Sequence, residues 1–268
     1  MAKGMEMQVE KAPLTEPEQR EVSRLSVLAG QRLLQHGAES TLVMEVARRL
    51  GLALGAESVE VSLSASSMVL TTLNHGRCIT TARRCQDRGI NMGVVTEIQR
   101  VCILAERGIL DINEVHQRLE RITPVRYNRY LVIVMIGLSC ASFSRLAGGD
   151  WPVFALTFLA SAVGMFVRQE IAHCHFNPLL NFGVTAFVTT MISGFGQVYQ
   201  IGEEPFLAMA SSVLMLVPGF PLINAISDMV KGYVNMGIAR WTMASLLTLS
   251  TSMGIIAAMN VLGVWGWL

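Results

Sequence analysis

The sequence predicts an α+β N-terminal domain of aqueous character, followed by an all-α transmembrane bundle of five helices, the fourth broken between Pro218 and Pro221. Charged residues recur every few positions up to Arg129 and become rare after it. The charged half shows helical and strand periodicity, whereas the second half contains apolar runs long enough to cross a bilayer. The predicted divisions are a disordered segment over residues 1–14, the α+β domain over 15–124 and the five-span domain over 125–268.

Two amphipathic helices open the predicted α+β domain. Thr15 and Glu18 have the spacing of a capping box, in which two side chains satisfy free backbone N–H groups at the start of a helix. The first helix is expected to stop at Gly37, since glycine readily takes the left-handed conformation that ends many helices. Apolar residues at helical spacing predict a second helix from about Glu39 to Leu50.

A small antiparallel sheet is predicted next. From Ser58 apolar and polar residues alternate, as a half-buried strand requires, and a second strand is expected over residues 68–73. The segment Asn74-His75-Gly76-Arg77 has the composition of a turn. It would return the chain into a third strand over residues 78–82.

Two more helices complete the predicted domain. The first follows Gly89 and stops at Gly108. The second begins after Asp111, which is expected to cap it together with Glu114, and ends before Pro124. The order helix, helix, strands, helix, helix indicates one α+β layer domain.

Five apolar runs form the predicted membrane bundle, over residues 130–147, 151–167, 179–199, 205–227 and 241–268. The basic residues near their ends fall mostly on one side, with Arg145 alone on the other. By the positive-inside rule the N-terminal domain is expected in the cytoplasm and the C-terminus outside. An odd number of spans predicts an incomplete transporter half, which needs a second subunit or a homo-oligomer.

The broken fourth run is the strongest signal in the sequence. Pro218 and Pro221 carry no N–H group, so the carbonyls of Leu214 and Val217 are expected to lose their helical partners. Such a break is tolerated at membrane depth only where protein or a wet cavity covers it. The break is therefore a candidate lining of a transport path.

The chain after the break is predicted to hold an anion. Gly219 is expected to end the first half-helix in the left-handed conformation, and Pro221 suits the first turn of the second half-helix. Free N–H groups would then point into the break at the positive end of a helix dipole, a ready site for a substrate carboxylate. These N–H groups belong to Leu222, Ile223 and Asn224.

Three charged or polar side chains are further candidates. Asn224 and Asp228 are one helical turn apart, so an amide and a titratable acid would face the same side, and Asp228 could exchange protons with a substrate or hold Lys231. A simple helix kink with an aspartate at the membrane surface explains the same residues. Arg145 is interpreted either as a snorkelling side chain or as an anion ligand, and Arg168 as an interface charge.

Several function classes lack support in the sequence. His173-Cys174-His175 are neighbours in a loop and the five cysteines show no metal-ligand spacing, so neither a metal nor a cofactor is expected. The short basic cluster around Arg84 has no interleaved aromatic residues, which argues against nucleic acid. The N-terminus has no apolar segment of the signal-peptide type.

Two alternatives to transport remain open. His36 and Glu39 place an imidazole and a carboxylate at a helix junction, which would suit a membrane-anchored enzyme. A helix stop followed by a helix start explains the same residues, and no nucleophile motif accompanies them, so no enzyme activity is expected. The second alternative is a scaffold for the partner subunit that does not itself transport. A tightly packed span interior without polar groups would support it.

Several stretches together resemble the threonine/serine exporter (ThrE) family. They are residues 35–40, 69–72, 87–97, 216–224 with Asp228, and 237–241, and the resemblance extends from about Glu16 to the C-terminus. The chain is most similar to the split-subunit branch of YjjP type, whose members work with a smaller YjjB-type membrane subunit in succinate export.

The resemblance implies a five-span protein of the bacterial inner membrane with a cytoplasmic N-terminal domain, and the positive-inside rule then places the C-terminus in the periplasm. It implies export of a small organic acid, a C4-dicarboxylate such as succinate in this branch and threonine or serine in the wider family. A higher oligomer is also expected. No catalytic residue carries over from the family.

Overall fold

The computed structural model describes residues 14–264 and divides into two compact units. The first, here called the mixed unit, contains the described residues up to Val125 together with Asn224–Ala239. The second, called the helical unit, contains Arg126–Ile223 and the described residues from Arg240 onward. The predicted disordered segment, apart from Leu14, and the last four residues of the fifth predicted span lie outside the described residues.

The mixed unit contains four helices and three strands from the N-terminal part of the chain, all at the predicted places. They are α1 (Glu16–Gln35), α2 (Ser40–Ala53), β1 (Ser58–Ser64), β2 (Ser67–Asn74), β3 (Arg77–Arg84), α3 (Met92–Glu106) and α4 (Ile112–Arg121). The strands form one antiparallel sheet in the order β1-β2-β3. The predicted combination of helices with a small sheet is therefore confirmed.

Local capping residues set the ends of several of these helices. The Glu18 carboxylate accepts a hydrogen bond of 2.9 Å from the Thr15 N–H at the start of α1. Asp111 and Glu114 form the reciprocal pair at the start of α4. Gly37, with φ of 88°, follows the end of α1 in the left-handed conformation that a side chain disfavours. All three features agree with the sequence prediction.

The core of the mixed unit is formed by side chains of α1, α2, α3, α4 and the sheet. Its largest buried side chains include Leu25, Leu33, Leu50, Met68, Leu70 and Ile98. A methyl group added at Gly30 of α1 would lie 2.3 Å from the Met68 Cε atom, so a larger residue there would have to displace the Met68 side chain. Gln19 and Ser23 of α1 also bind the backbone and hydroxyl of Thr72, which fixes α1 along the strand.

Apolar helices follow in the described part of the chain after Arg126. They are α5 (Arg129–Leu146), α6 (Trp151–His173), α7 (Pro178–Val198), α8 (Phe206–Ser212), α9 (Gly219–Val230) and α10 (Val234–Leu262). Within the described residues, α5, α6, α7 and α10 are long and apolar enough to cross a membrane. The segment Phe206–Leu216 and α9 together would make a fifth span, bent by 56° at the prolines. Five spans were predicted; four apolar helices of sufficient length are found, and the number is five if the bent pair crosses as one span.

Small and hydroxyl-bearing residues pack the interior of the helical unit. A methyl group added at Gly164 of α6 would lie 2.1 Å from the Thr189 Oγ1 atom of α7. Ser161 of α6 donates to the Ser212 carbonyl at 3.2 Å, and Ser212 donates to Ser193 of α7. These contacts bring helix backbones close together, as expected for helices that pack without a water-driven hydrophobic effect.

Candidate functional site

The backbone at the proline break is hydrogen-bonded locally. The Leu214 carbonyl accepts from the Val217 N–H at 3.2 Å, and the Val217 carbonyl accepts from the Gly219 N–H at 2.8 Å. A short 3-10 turn over Leu214–Leu216 and the tight turn after it replace the helical bonds that the prolines remove. The two carbonyls therefore lose their helical partners, as predicted, but neither is left without a hydrogen bond, so the expected unsatisfied backbone is wrong.

The second half-helix starts earlier than predicted. Gly219 is the first residue of α9 and does not have a left-handed φ, contrary to the prediction, and Pro221 lies in the first turn as expected. The Leu222 N–H donates to the Pro218 carbonyl at 3.2 Å, and Ile223 and Asn224 follow inside the helix. The three N–H groups predicted to be free are therefore not a ready carboxylate site.

One face of α9 is polar and buried, while the opposite face is apolar and exposed. Asn224 and Asp228 are both buried, which confirms that they share a face. Ile223 and Val230, by contrast, are 67% and 81% exposed. The polar face belongs to the mixed unit, so α9 presents its amide and its acid to that unit.

The partners of this polar face lie in residues 35–40, the segment between α1 and α2, called the junction below. The Asn224 side-chain amide donates to the Gly37 carbonyl at 2.9 Å. One oxygen of the Asp228 carboxylate accepts from the Ser40 N–H at 3.0 Å, and the other accepts from the Ser40 hydroxyl at 2.9 Å. The Lys231 ammonium forms an ion pair with the Glu39 carboxylate.

Asp228 acts as the capping group of α2. Glu39 occupies the N-cap position of that helix, but its side chain makes no capping hydrogen bond. The Asp228 carboxylate instead accepts from the N–H of Ser40, the first residue of α2, which has no intrahelical acceptor. A carboxylate at a helix N-terminus is favoured by the hydrogen bond, which is charge-assisted, and by the helix dipole. The polar contact therefore stabilises the start of α2 as well as the position of α9.

A tight turn connects α9 to α10. Gly232 has φ of 89°, and the Tyr233 N–H donates to the Asp228 carbonyl at 2.8 Å. A methyl group added at Gly237 would lie 2.4 Å from the Met229 Cγ atom and 2.8 Å from the Ala225 carbonyl oxygen. Glycine at residue 237 therefore lets the first turn of α10 lie against the backbone of α9.

The junction also contacts the segment before α3. The Arg88 N–H donates to the Gln35 carbonyl at 3.0 Å, and the Asn91 N–H donates to the His36 carbonyl at 3.2 Å. The Asn91 side chain caps α3 by accepting from the Val94 N–H. Three of the stretches that carry the family resemblance, residues 35–40, 87–97 and the region around Asp228, are thus brought together around the junction.

His36 and Glu39 both have structural partners in the junction. The His36 ring is buried, and its Nδ1 atom lies 2.8 Å from the Arg32 carbonyl. A carbonyl can only accept a hydrogen bond, so Nδ1 carries a proton. Glu39 pairs with Lys231, as described above. The two side chains therefore help to fix the helix stop and start that the sequence offered as their simpler interpretation.

Two arginines of the helical unit have defined partners of their own. Arg145 donates to the Gly149 carbonyl and lies over the Trp151 ring, 4.8 Å from its centroid. Arg168 donates to the Met215 carbonyl at 3.1 Å, inside the turn before the prolines, and lies over the Phe182 ring. The sequence interpretation of Arg168 as a simple interface charge missed this contact, because nothing in the local pattern links α6 to residue 215.

Comparison with known proteins gives the family of the chain. The family model described as "Putative threonine/serine exporter" (ThrE) matches residues 24–262. The chain belongs to the threonine/serine exporter family. All the stretches on which the resemblance was based lie inside the matched residues, and the resemblance is confirmed. With its apolar helices, this exporter-family chain is a multi-pass membrane protein.

Individual relatives of this ThrE-family chain agree with that assignment. A Klebsiella aerogenes protein named "Probable succinate transporter subunit YjjP" is 51% identical over 251 residues, which cover 93% of this chain and 97% of the relative. An Escherichia coli strain K12 protein of the same name is 52% identical, with 93% and 98% covered. A Mycobacterium tuberculosis protein named "Probable threonine/serine exporter" is 21% identical over 90% of this chain and 46% of its own length. No solved structure matches the chain.

Proposed function

We propose that this chain is one subunit of a bacterial inner-membrane exporter of C4-dicarboxylates, with succinate as the substrate. Two relatives that are about half identical over nearly their full length carry the name of a succinate transporter subunit, which supports this substrate class. The word subunit in these names supports a second membrane protein as partner. We propose that this partner is a smaller YjjB-type subunit and that the two proteins form a higher oligomer.

The contact between α9 and the junction carries the proposed mechanism. Asn224, Asp228 and Lys231 bind residues of the junction, in the gap after α1 and at the start of α2. Because α9 continues directly from the proline break, whatever holds α9 also restrains the chain at the break. In our proposal the N-terminal domain lies in the cytoplasm and positions α9 during the transport cycle.

Transport needs at least two states that differ in their contacts. We propose that the polar face of α9 leaves the junction in one of these states, which frees the Asn224 amide and the Asp228 carboxylate for substrate or protons. The break from Pro218 through Ile223 then lines the path of the substrate. Arg145, which already binds a backbone carbonyl and an aromatic ring, is proposed as a cation near the far end of this path.

The proposal predicts that Asn224→Ala and Asp228→Asn each lower succinate efflux at least tenfold. The assay uses vesicles that contain the full chain and its partner subunit. Ile226→Ala serves as the control, since Ile226 is exposed on the opposite face of α9 and its loss leaves the polar contacts intact. Efflux is normalised to inserted, folded protein. Undiminished efflux in both polar variants would contradict the role of these residues.

Threonine and serine export is the second candidate function. The family description and the name of the Mycobacterium tuberculosis relative both support it. The two substrates differ in charge, because threonine carries an ammonium group that a dicarboxylate lacks. The same vesicles can be loaded with either labelled substrate, and the two efflux rates compared. Efflux of labelled threonine at a rate equal to or above that of succinate would favour the amino-acid exporter.

A further inference from the structure

A groove of about 640 Å³ lies between α3 and the end of α4. Part of its lining is apolar, with Val94, Val101 and Leu104 of α3. Three arginines also line it, Arg100 from α3 and Arg118 and Arg121 from α4. The whole groove belongs to the mixed unit.

The groove has an excess of positive charge. Glu97 is the one acidic residue of the lining, and it forms an ion pair with Arg100 at 2.6 Å. Arg118 and Arg121 form no ion pair among residues 14–264. Two exposed guanidinium groups are therefore available to an anion, and guanidinium is well suited to bind phosphate oxygens through paired hydrogen bonds.

The end of α4 is stabilised without these two arginines. Basic side chains in a last helical turn often satisfy the free carbonyl groups there. In this chain Arg32 of α1 does so, because its guanidinium donates to the carbonyls of Leu119 and Ile122. Burial and the nearby charge of Arg88 lower the pKa of Arg32. The fold therefore does not need Arg118 or Arg121 for capping.

The groove lies at the part of the mixed unit from which the chain leads into the first span. Its lining ends at Val125, and α5 begins at Arg129. Four residues of extended chain reach at most about 14 Å, so the groove and the start of α5 are close along the chain. Val125 and Tyr127 are 82% and 80% exposed in between, and exposed aromatic residues are typical of a membrane surface.

We propose that this groove binds the headgroup phosphate of an anionic phospholipid. Clusters of arginine next to a membrane span attract anionic lipids, and here Arg126 and Arg129 follow Arg118 and Arg121 in the sequence. The arginines contact the phosphate, and the apolar part of the lining contacts the glycerol and the first carbons of the lipid. The bound lipid holds the mixed unit at the membrane surface.

The test measures lipid binding to the full chain in detergent by native mass spectrometry, with phosphatidylglycerol and phosphatidylcholine. We expect the double variant R118Q/R121Q to bind phosphatidylglycerol about 25-fold more weakly, since one arginine near an anionic surface contributes about fivefold. The control is R83Q/R84Q, which removes the same charge from exposed positions on β3, outside the groove. The control is expected to bind within twofold of the unchanged chain.

Three results would overturn the proposal. One is equal phosphatidylglycerol binding by R118Q/R121Q and the unchanged chain, and another is an equal loss in the control, which would indicate attraction by charge alone. The third is displacement of the lipid by millimolar glycerol phosphate or succinate, which would make the groove a site for a soluble anion. Circular dichroism of both double variants, expected to match the unchanged chain, separates loss of the site from loss of fold.

Discussion

Asp228 caps a helix that begins 188 residues earlier in the chain. Removing a capping side chain costs about 1 kcal/mol, and this one also carries a charge that the helix dipole favours. The same-face spacing of Asn224 and Asp228 could be read from the sequence, because it follows from the helical period. The partners of these side chains could not be predicted from the sequence. Lys231, for example, lies near Asp228 in the sequence but forms its ion pair with Glu39.

Cys102 illustrates how burial controls chemistry at a single residue. Burial in α3, together with the carboxylate of Glu106, raises the pKa of its thiol to about 11. The thiolate is the reactive form, so at pH 8 only about one molecule in a thousand is reactive at this residue. The reactivity of Cys102 should therefore rise only as the pH approaches the pKa.

We expect Cys102 to be alkylated by iodoacetamide at pH 8 at least a hundredfold more slowly than Cys78, which is exposed on β3. Peptide mass spectrometry of the folded full chain measures both rates in one sample. In denaturant the two rates should converge. Equal rates in the folded chain would show that Cys102 is not enclosed as described.

At the scale of single elements, short-range sequence signals predicted the helix caps correctly. They predicted the backbone at the proline break less accurately. The caps of α1 and α4 were predictable because both partners lie within one turn, as with Thr15 and Glu18. The start of α9 was not, because a proline fits any position of a first turn and fixes the helix start only to within about three residues. That uncertainty decided which N–H groups were expected to be free.

The two glycines around α9 should respond in opposite ways to alanine. A methyl group at Gly237 overlaps the α9 backbone, so Gly237→Ala should destabilise the chain by about 1–3 kcal/mol. Gly219 has open space around its Cβ position and no left-handed φ, so Gly219→Ala should be neutral or slightly stabilising. Thermal unfolding of the detergent-solubilised chains measures both. A more damaging change at Gly219 than at Gly237 would contradict the described start of α9.

At the scale of the whole molecule, the boundary predicted from charged residues along the sequence differs from the division into two compact units in the structure. Charge density predicts a boundary near residue 124, whereas the compact mixed unit also includes Asn224–Ala239. The difference arises from the few polar groups of an otherwise apolar segment, whose partners lie far away in sequence. Composition averages over such groups. The helices and strands were therefore predictable from the sequence, but the inclusion of Asn224–Ala239 in the mixed unit was not.

The most direct test of the central claim is hydrogen exchange at the Ser40 amide in the full chain. As the first residue of α2, Ser40 has no intrahelical acceptor, so its protection depends on the Asp228 carboxylate. We predict slow exchange in the unchanged chain, exchange at least tenfold faster in Asp228→Ala, and retained protection in Ser40→Ala, which keeps the N–H group. Exchange at the unprotected rate in the unchanged chain, or no change in Asp228→Ala, would contradict the attachment of α9 to the junction.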